Sequence, residues 1–175
     1  TDNLVSVKEA FEYTLDHLNE LESVEIATAT KPSKYLVYET ECDYHNVPLK
    51  MIVCSSEKLR PQKKRTIAKR VVKEYQLLTD ISKELKKRSF ACEVDANVEI
   101  DKLTNKQLKK LKYHTVNLLT TTVETKRPGR PSKNPEKNQS QTSFVVELDI
   151  KRDNSSISRH LDKECLFVLA CTKLD

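Results

Sequence analysis

The sequence predicts an α+β fold in which a small mixed or antiparallel sheet carries a projecting helical arm. Two stretches rich in alternating and β-branched residues flank a central stretch with helical periodicity, an order typical of strands around a helical segment. The 175 residues include 37% hydrophobic and 33% charged side chains, which suffices for one domain with a core. No apolar run reaches the roughly 20 residues of a membrane helix, so no membrane partner is expected.

Residues 1–57 are predicted to form a helix and a β-hairpin. Apolar residues between Val7 and Leu21 recur at helical spacing, which indicates an amphipathic helix packed on a core. The stretches YLVYETECDY and VPLKMIVCSS follow, with apolar residues at alternate positions in the second. The short polar connection between them favours a hairpin.

Residues 58–112 are predicted to form a basic helical arm. After Pro61, a good first-turn residue, the apolar spacing indicates one helix of roughly 25 residues. SFACEVDANVEIDKL predicts a second helix, and TNKQLKKL a short third one in which Thr104 and Gln107 have capping-box spacing. Helices this close in sequence are expected to fold back on one another. The apolar stripe of the first helix comprises Ile67, Val71, Tyr75, Leu78, Ile81 and Leu85.

Residues 113–175 return to strands. YHTVNLLTTTVET and SFVVELDIKR are rich in β-branched residues, and the second alternates cleanly. Between them lies KRPGRPSKNPEKNQSQ, part of a long basic loop over residues 125–142, and loops of this length are usually functional or disordered. A short helix, SISRHLDKE, precedes a final core strand, CLFVLACT. We expect the two strand-rich flanks to build the sheet together.

The charge is concentrated in the middle of the chain. The total is +5, but residues 58–142 hold 22 basic and 9 acidic side chains, a net +13, whereas residues 1–57 hold 4 and 11. Such asymmetry suggests a polyanionic partner, and a solvated helical surface is the alternative. Positive charge at a helix N-terminus opposes the macrodipole by a few tenths of a kcal/mol per residue, which favours a functional role. The basic residues there are Lys63, Lys64, Arg65, Lys69, Arg70 and Lys73.

The sequence PGRP in the loop resembles the core of an AT-hook, which lies along the minor groove of A·T-rich DNA. Gly129, the glycine of this chain, would permit close approach of the backbone, and arginines favour the negative potential of a narrow groove. Pro128 stands where the usual hook has a second arginine. A soluble, proline-stiffened linker is the alternative. The basic residues of this segment are Lys126, Arg127, Arg130 and Lys133.

Signatures of catalysis and metal binding are missing from the sequence. A single glycine excludes a Gly-rich phosphate loop, and five scattered cysteines without a C-x-x-C pair indicate reduced thiols in a cytoplasmic protein. Glu93 and Asp95 are candidates for metal binding, but the start of a helix favours carboxylates and is the preferred explanation for them. Asp175 is either a metal ligand or a turn residue. The first residues have no signal-peptide regions and no initiator methionine, so we expect a piece of a longer chain.

Four segments, in order, resemble a bacterial insertion-sequence DDE transposase. They are FACEVDA after the long basic helix, LKYHTV, GRPSK and CLFVLACTKLD, at residues 90–96, 111–116, 129–133 and 165–175. The resemblance implies an RNase H-like enzyme in which two aspartates and a glutamate hold divalent metal ions, such as Mg²⁺, for DNA cleavage and strand transfer. It places this chain in the insertion between the second aspartate and the glutamate, so no catalytic residue and no cofactor is expected within it.

The resemblance also implies partners and a location. These are double-stranded DNA at transposon ends, a homo-oligomer in the synaptic complex, and the bacterial cytoplasm and nucleoid. Two alternatives stay open: a non-enzymatic nucleic-acid-binding module, and an oligomerisation element in which the stripe from Ile67 to Leu85 pairs with a second copy. The residues expected to contact DNA are Lys63, Lys64, Arg65, Lys69, Arg70, Lys126, Arg127, Arg130 and Lys133.

Overall fold

The structure is a computed structural model that describes residues 5–27, 32–44, 47–125 and 141–172. The chain divides into two compact units, the first from Thr1–Lys69 with Ser155–Asp175 and the second from Arg70–Asn154. Each unit combines helices with antiparallel strands, so the predicted α+β class is confirmed. The projecting arm and the place of the chain within an RNase H-like enzyme stay predictions.

The first unit contains an antiparallel sheet of four strands in the order β1-β2-β3-β6. The predicted hairpin forms, with Tyr44 paired to Val47, and the final strand pairs with β3. The last strand therefore joins the N-terminal hairpin as expected, whereas the other C-terminal strands form a separate sheet. The strands of this sheet are β1 (Glu22–Ile26), β2 (Ser33–Tyr44), β3 (Val47–Ser56) and β6 (Leu166–Thr172).

Helix α1 (Val5–Asp16) covers one face of this sheet. The helix is shorter than the apolar spacing to Leu21 predicts, because the chain turns at His17, whose carbonyl accepts a hydrogen bond from the Glu20 N–H at 2.9 Å. Leu18 still packs against the core from beyond the helix. The buried core consists of Val7, Ala10 and Leu15 from the helix and Met51, Val53 and Leu166 from the sheet.

Helix α4 (Asn154–Glu164) is tied to α1 by ion pairs. Arg159 donates from Nη1 to Asp16 and from Nη2 to Glu12, both at 2.7 Å, and Lys163 donates to Glu12 at 2.6 Å. The hydrogen bonds from Lys163 and Arg159 lower the pKa of the Glu12 carboxyl below its ordinary value. These groups are about half exposed, so solvent screens the network.

We expect Glu12→Gln to reduce the loss of unfolding free energy that accompanies a fall in pH below neutral. The pKa of Glu12 is lower in the folded chain than in the unfolded one. Its contribution is therefore complete above the unfolded pKa and is lost as the pH falls through the folded pKa. Urea unfolding of both proteins between pH 7 and pH 3 measures the difference, and Glu9→Gln, on the exposed side of the same helix, is the control. A Glu12→Gln profile parallel to that of the unchanged chain would contradict the prediction.

The second unit contains a two-stranded antiparallel sheet and the helices that pack on it. Strands β4 (His114–Thr125) and β5 (Gln141–Arg152) pair along their whole length. Helix α2 (Arg60–Lys86) begins in the first unit and continues into the second, and α3 (Glu93–Lys106) follows it. The buried core of this unit is formed by Leu85, Ala96 and Val146.

Two sequence-based expectations in this unit have different outcomes. The long helix begins at Arg60, one residue before Pro61, and has 27 residues, close to the expected length. The separate third helix does not form, because α3 continues through Thr104 to Lys106 and then ends at Gln107, whose N–H bonds to the Leu103 carbonyl. Only a 3-10 turn follows in this described stretch, at Leu108–Lys110.

The five cysteines are free thiols in different environments. Cys54 and Cys165 are buried, and burial raises the pKa of both thiols, which keeps them in the unreactive protonated form. Cys92 and Cys171 are exposed. Among the described helices, none is long and apolar enough to cross a membrane.

Candidate nucleic-acid interface

The basic start of α2 divides into paired and unpaired side chains. Arg60 donates from Nη1 to Asp162 at 2.8 Å, and Lys63 donates from Nζ to Glu164 at 3.1 Å. Both acids lie at the end of α4 in the same unit. These carboxylates offset the unfavourable position of two cations near a helix N-terminus. Lys63, predicted to contact DNA, is thus half-buried in an ion pair within the chain.

Three further cations of α2 that the sequence predicts to contact DNA are available to a ligand. Lys64, Arg65 and Lys69 are exposed, and none of them forms an ion pair with another described residue. At about 100° of rotation per residue, Arg65 and Lys69 lie on the opposite side of the helix from the buried Ile67. We call Lys64, Arg65 and Lys69 the α2 basic patch.

The structure does not show the other predicted DNA-binding residues as available cations. Arg70 is exposed at the start of the second unit and already has an interaction within the chain. The loop residues Lys126, Arg127, Arg130 and Lys133 lie outside the described residues. The structure therefore leaves three of the nine residues exposed and without an ion pair among the described residues, all of them in the first three turns of α2.

The residues described do not fit a catalytic metal site. Glu93 and Asp95 lie in the first turn of α3 and are exposed, where the helix dipole favours carboxylates. Across the described ranges, no group of three or more His, Cys, Asp or Glu side chains is placed to hold a metal ion. Asp175 lies outside those ranges.

Sequence reasoning missed a carboxylate that holds the start of β4. The Glu74 carboxylate accepts hydrogen bonds from the N–H groups of Lys112 and Tyr113, at 3.0 and 2.9 Å, and lies 2.9 Å from Nδ1 of His114. The His114 side chain is buried, and its ring lies 5.8 Å from the ring of Tyr75, centroid to centroid, at an interplanar angle of 36°. One acid on a basic helix carries no sequence signal for this role, because its partners lie about 40 residues away.

Most of the apolar stripe of α2 is covered within the chain. Ile67, Val71, Leu78 and Leu85 are buried, and Leu85 belongs to the core of the second unit. Ile81 is half-buried, and Tyr75 is 53% exposed. The alternative in which this stripe pairs two chains stays a prediction, and Tyr75 is the stripe residue most accessible to a second copy.

Comparisons with protein-family models, with curated proteins and with solved structures find no match. Three features of the chain itself bear on its function: the charge distribution, the α2 basic patch and the order of the sequence motifs.

Proposed function

We propose that this chain contributes DNA contacts to a bacterial insertion-sequence DDE transposase. The observation that carries the proposal is the α2 basic patch, three exposed cations without an acidic partner in the described residues. The order of motifs along the sequence supports the assignment to a transposase. Divalent metal for cleavage and strand transfer would be held by carboxylates outside this chain.

The role of the patch follows from its charge. A cation that is exposed and unpaired can neutralise a DNA phosphate and release a condensed counterion, whereas Lys63 would first have to leave Glu164. Arg65 and Lys69 lie one helical turn apart, about 6 Å along the axis, so both can face the same DNA backbone. Such contacts fix the position of the protein and do not read the sequence.

The loop residues have a different role in the proposal. Arg127 and Arg130 would enter the minor groove of A·T-rich DNA, while Lys126 and Lys133 would contact the flanking phosphates. The proposed partner is double-stranded DNA at the transposon ends, bound by a homo-oligomeric synaptic complex in the bacterial cytoplasm and nucleoid.

Removing two of the three charges of the α2 basic patch should weaken DNA binding without changing the preference for one DNA sequence over another. For Arg65→Gln/Lys69→Gln we expect affinity for a duplex to fall about tenfold or more near 0.1 M salt, and the salt slope to fall by about 2. The reason is the loss of two phosphate contacts. Fluorescence anisotropy titration at several salt concentrations measures both quantities.

The matched control removes the same charge from elsewhere in the first unit. Lys8 and Lys34 are exposed, so Lys8→Gln/Lys34→Gln should leave the affinity within about twofold if position matters. Equal losses in the two double variants would show that net charge, and not the patch, attracts DNA.

A second arm of the titration tests the loop separately. Arg127→Ala/Arg130→Ala should remove a preference for A·T-rich over G·C-rich duplexes if these arginines enter a minor groove. Equal affinity of the unchanged chain for both duplexes would contradict the minor-groove contact and leave the patch as the binding surface.

A further inference from the structure

A cavity of about 380 Å³ lies in the first unit, between the end of α1 and strand β2. This volume is at the lower end of the range of about 300–1,000 Å³ for ligand sites in proteins. One wall is built from rings and the rim from carboxylates, and no lysine or arginine lines it. Its ring residues are Tyr13, His17 and Tyr38, and its acids are Glu20, Glu22 and Glu39.

The ring wall is a continuous stack. The centroids of Tyr13 and His17 are 4.1 Å apart at an interplanar angle of 18°, and those of Tyr13 and Tyr38 are 4.6 Å apart at 29°. His17 is held in place because its Nδ1 lies 2.9 Å from the Tyr13 carbonyl, one helical turn back. Tyr13 nevertheless remains 46% exposed. Because Tyr13 is the middle ring, its faces are covered by its two neighbours, and the π-faces that a cation can meet are the outer faces of the stack, above all that of Tyr38.

The rim adds negative charge to the same space. Glu20 and Glu22 are exposed and form no ion pair with another described residue. Glu39 binds Lys50 at 2.6 Å, so an ammonium group is already attracted to this rim. Helix α1 ends at Asp16, beside the cavity, and a helix C-terminus favours positive charge.

The shape of the site selects the kind of cation. The carboxylates do not come together as a metal-binding group among the described residues. A guanidinium is planar, stacks on aromatic rings and donates to carboxylates from its edge at the same time. An ammonium offers the charge without the plane, so the combination of stacked rings and separated acids fits arginine better than lysine.

An open sheet edge next to the cavity indicates that the arginine belongs to a peptide. Strand β1 pairs with β2 only as far as Glu22 opposite Val37. From Tyr38 to Tyr44, β2 has β3 as its one strand neighbour among the described residues. Such an edge accepts an extended segment by main-chain hydrogen bonds, and alternate side chains then fill pockets.

We propose that this cavity binds an arginine side chain from a basic, extended segment of a partner protein. The outer face of the ring stack holds the guanidinium plane, Glu20 and Glu22 accept its N–H groups, and the edge of β2 beyond Val37 holds the main chain. The charge of the surrounding sequence agrees, because residues 1–57 carry 11 acids and 4 basic residues.

The test is a titration of the full chain with acetyl-Arg-Val-Arg-Val-Arg-amide, followed by amide and aromatic NMR shifts. We expect shift changes at Tyr13, His17 and Tyr38, and about tenfold weaker binding of the citrulline version of the peptide and of free arginine amide. The lysine version should bind about threefold or more weakly than the arginine peptide.

Two double variants with the same change in charge locate the site. Glu20→Gln/Glu22→Gln should weaken the arginine peptide about fivefold or more, whereas Glu25→Gln/Glu57→Gln, exposed acids outside the cavity, should stay within about twofold. All four positions are exposed, and equal urea midpoints would verify that each variant is folded. The α2 basic patch is unchanged in both variants, so the result is independent of DNA binding.

Several results would overturn the proposal. If both double variants weakened binding of the arginine peptide equally, the peptide would be attracted by acidic surface in general and not by this cavity. If the lysine peptide bound as tightly as the arginine peptide, the aromatic rings would have no role in selecting the cation. If free arginine amide bound as tightly as the peptide, binding would not require an extended segment of a partner protein. Dimerisation of the chain alone, lost in Glu20→Gln/Glu22→Gln, would assign the cavity to a second copy and not to another protein.

Discussion

Replacing Leu78 with alanine is expected to lower the free energy of unfolding by about 3 kcal/mol. Leu78 lies in the middle of α2 and is 0% exposed, so the substitution removes buried methyl groups and leaves a cavity. Urea unfolding followed by circular dichroism gives the difference in free energy.

The neighbouring residue supplies the matched control. Leu77 is 53% exposed on the same helix, so Leu77→Ala makes the same chemical change at almost the same helix position. We expect it to change the stability by no more than about 0.5 kcal/mol. Similar losses for the two variants would mean that Leu78 is not buried as described.

Replacing Glu74 with alanine should also destabilise the chain, by about 3 kcal/mol. The change leaves the partly buried N–H of Tyr113 and the His114 ring without the Glu74 carboxylate, and a buried unsatisfied donor costs about 1–3 kcal/mol. The Lys112 N–H is exposed and can bond to water instead. The loss should be accompanied by faster hydrogen exchange at the amides of Lys112 and Tyr113. Unfolding by urea and exchange followed by NMR measure the two effects.

Glu84 is the control for this prediction because it is an acid on the same helix with a surface role. It accepts from Lys87 at 2.9 Å, and both side chains are more than half exposed. The hydrogen bond from Lys87 lowers the pKa of Glu84, but solvent screens so exposed a pair, and losing it should change the stability little. If Glu84→Ala were as destabilising as Glu74→Ala, the carboxylate clamp on β4 would be ruled out.

Periodicity predicted most elements of this fold correctly. The spacing of four buried residues, Ile67, Val71, Leu78 and Leu85, is read directly from the sequence, and α2 follows it. The alternation in β3 and β5 likewise matches strands that cover a core on one face. These elements could be predicted because each pattern depends only on residues that are close together in the sequence.

Strand β1 and the pairing of the basic residues were not predictable in this way. β1 has the sequence ESVEI and is mostly exposed, so its strand conformation depends on pairing with β2 and not on an apolar pattern. Arg60 and Lys63 look the same in sequence as Arg65 and Lys69. Their acidic partners are about 100 residues away, so only the fold distinguishes an anchored cation from an available one.

The last residue pair of the β4–β5 hairpin affects how freely the sequence between the two strands can change during evolution. Thr125 is paired with Gln141, so the two ends of the proline-containing basic segment are held side by side by the ladder itself. When the ends are fixed, doubling the length of a connection changes the closure entropy by only about 0.6 kcal/mol. Insertions, deletions and changes of charge between these two residues therefore carry a small closure cost, and the ladder of β4 and β5 can keep its register while the connecting sequence changes.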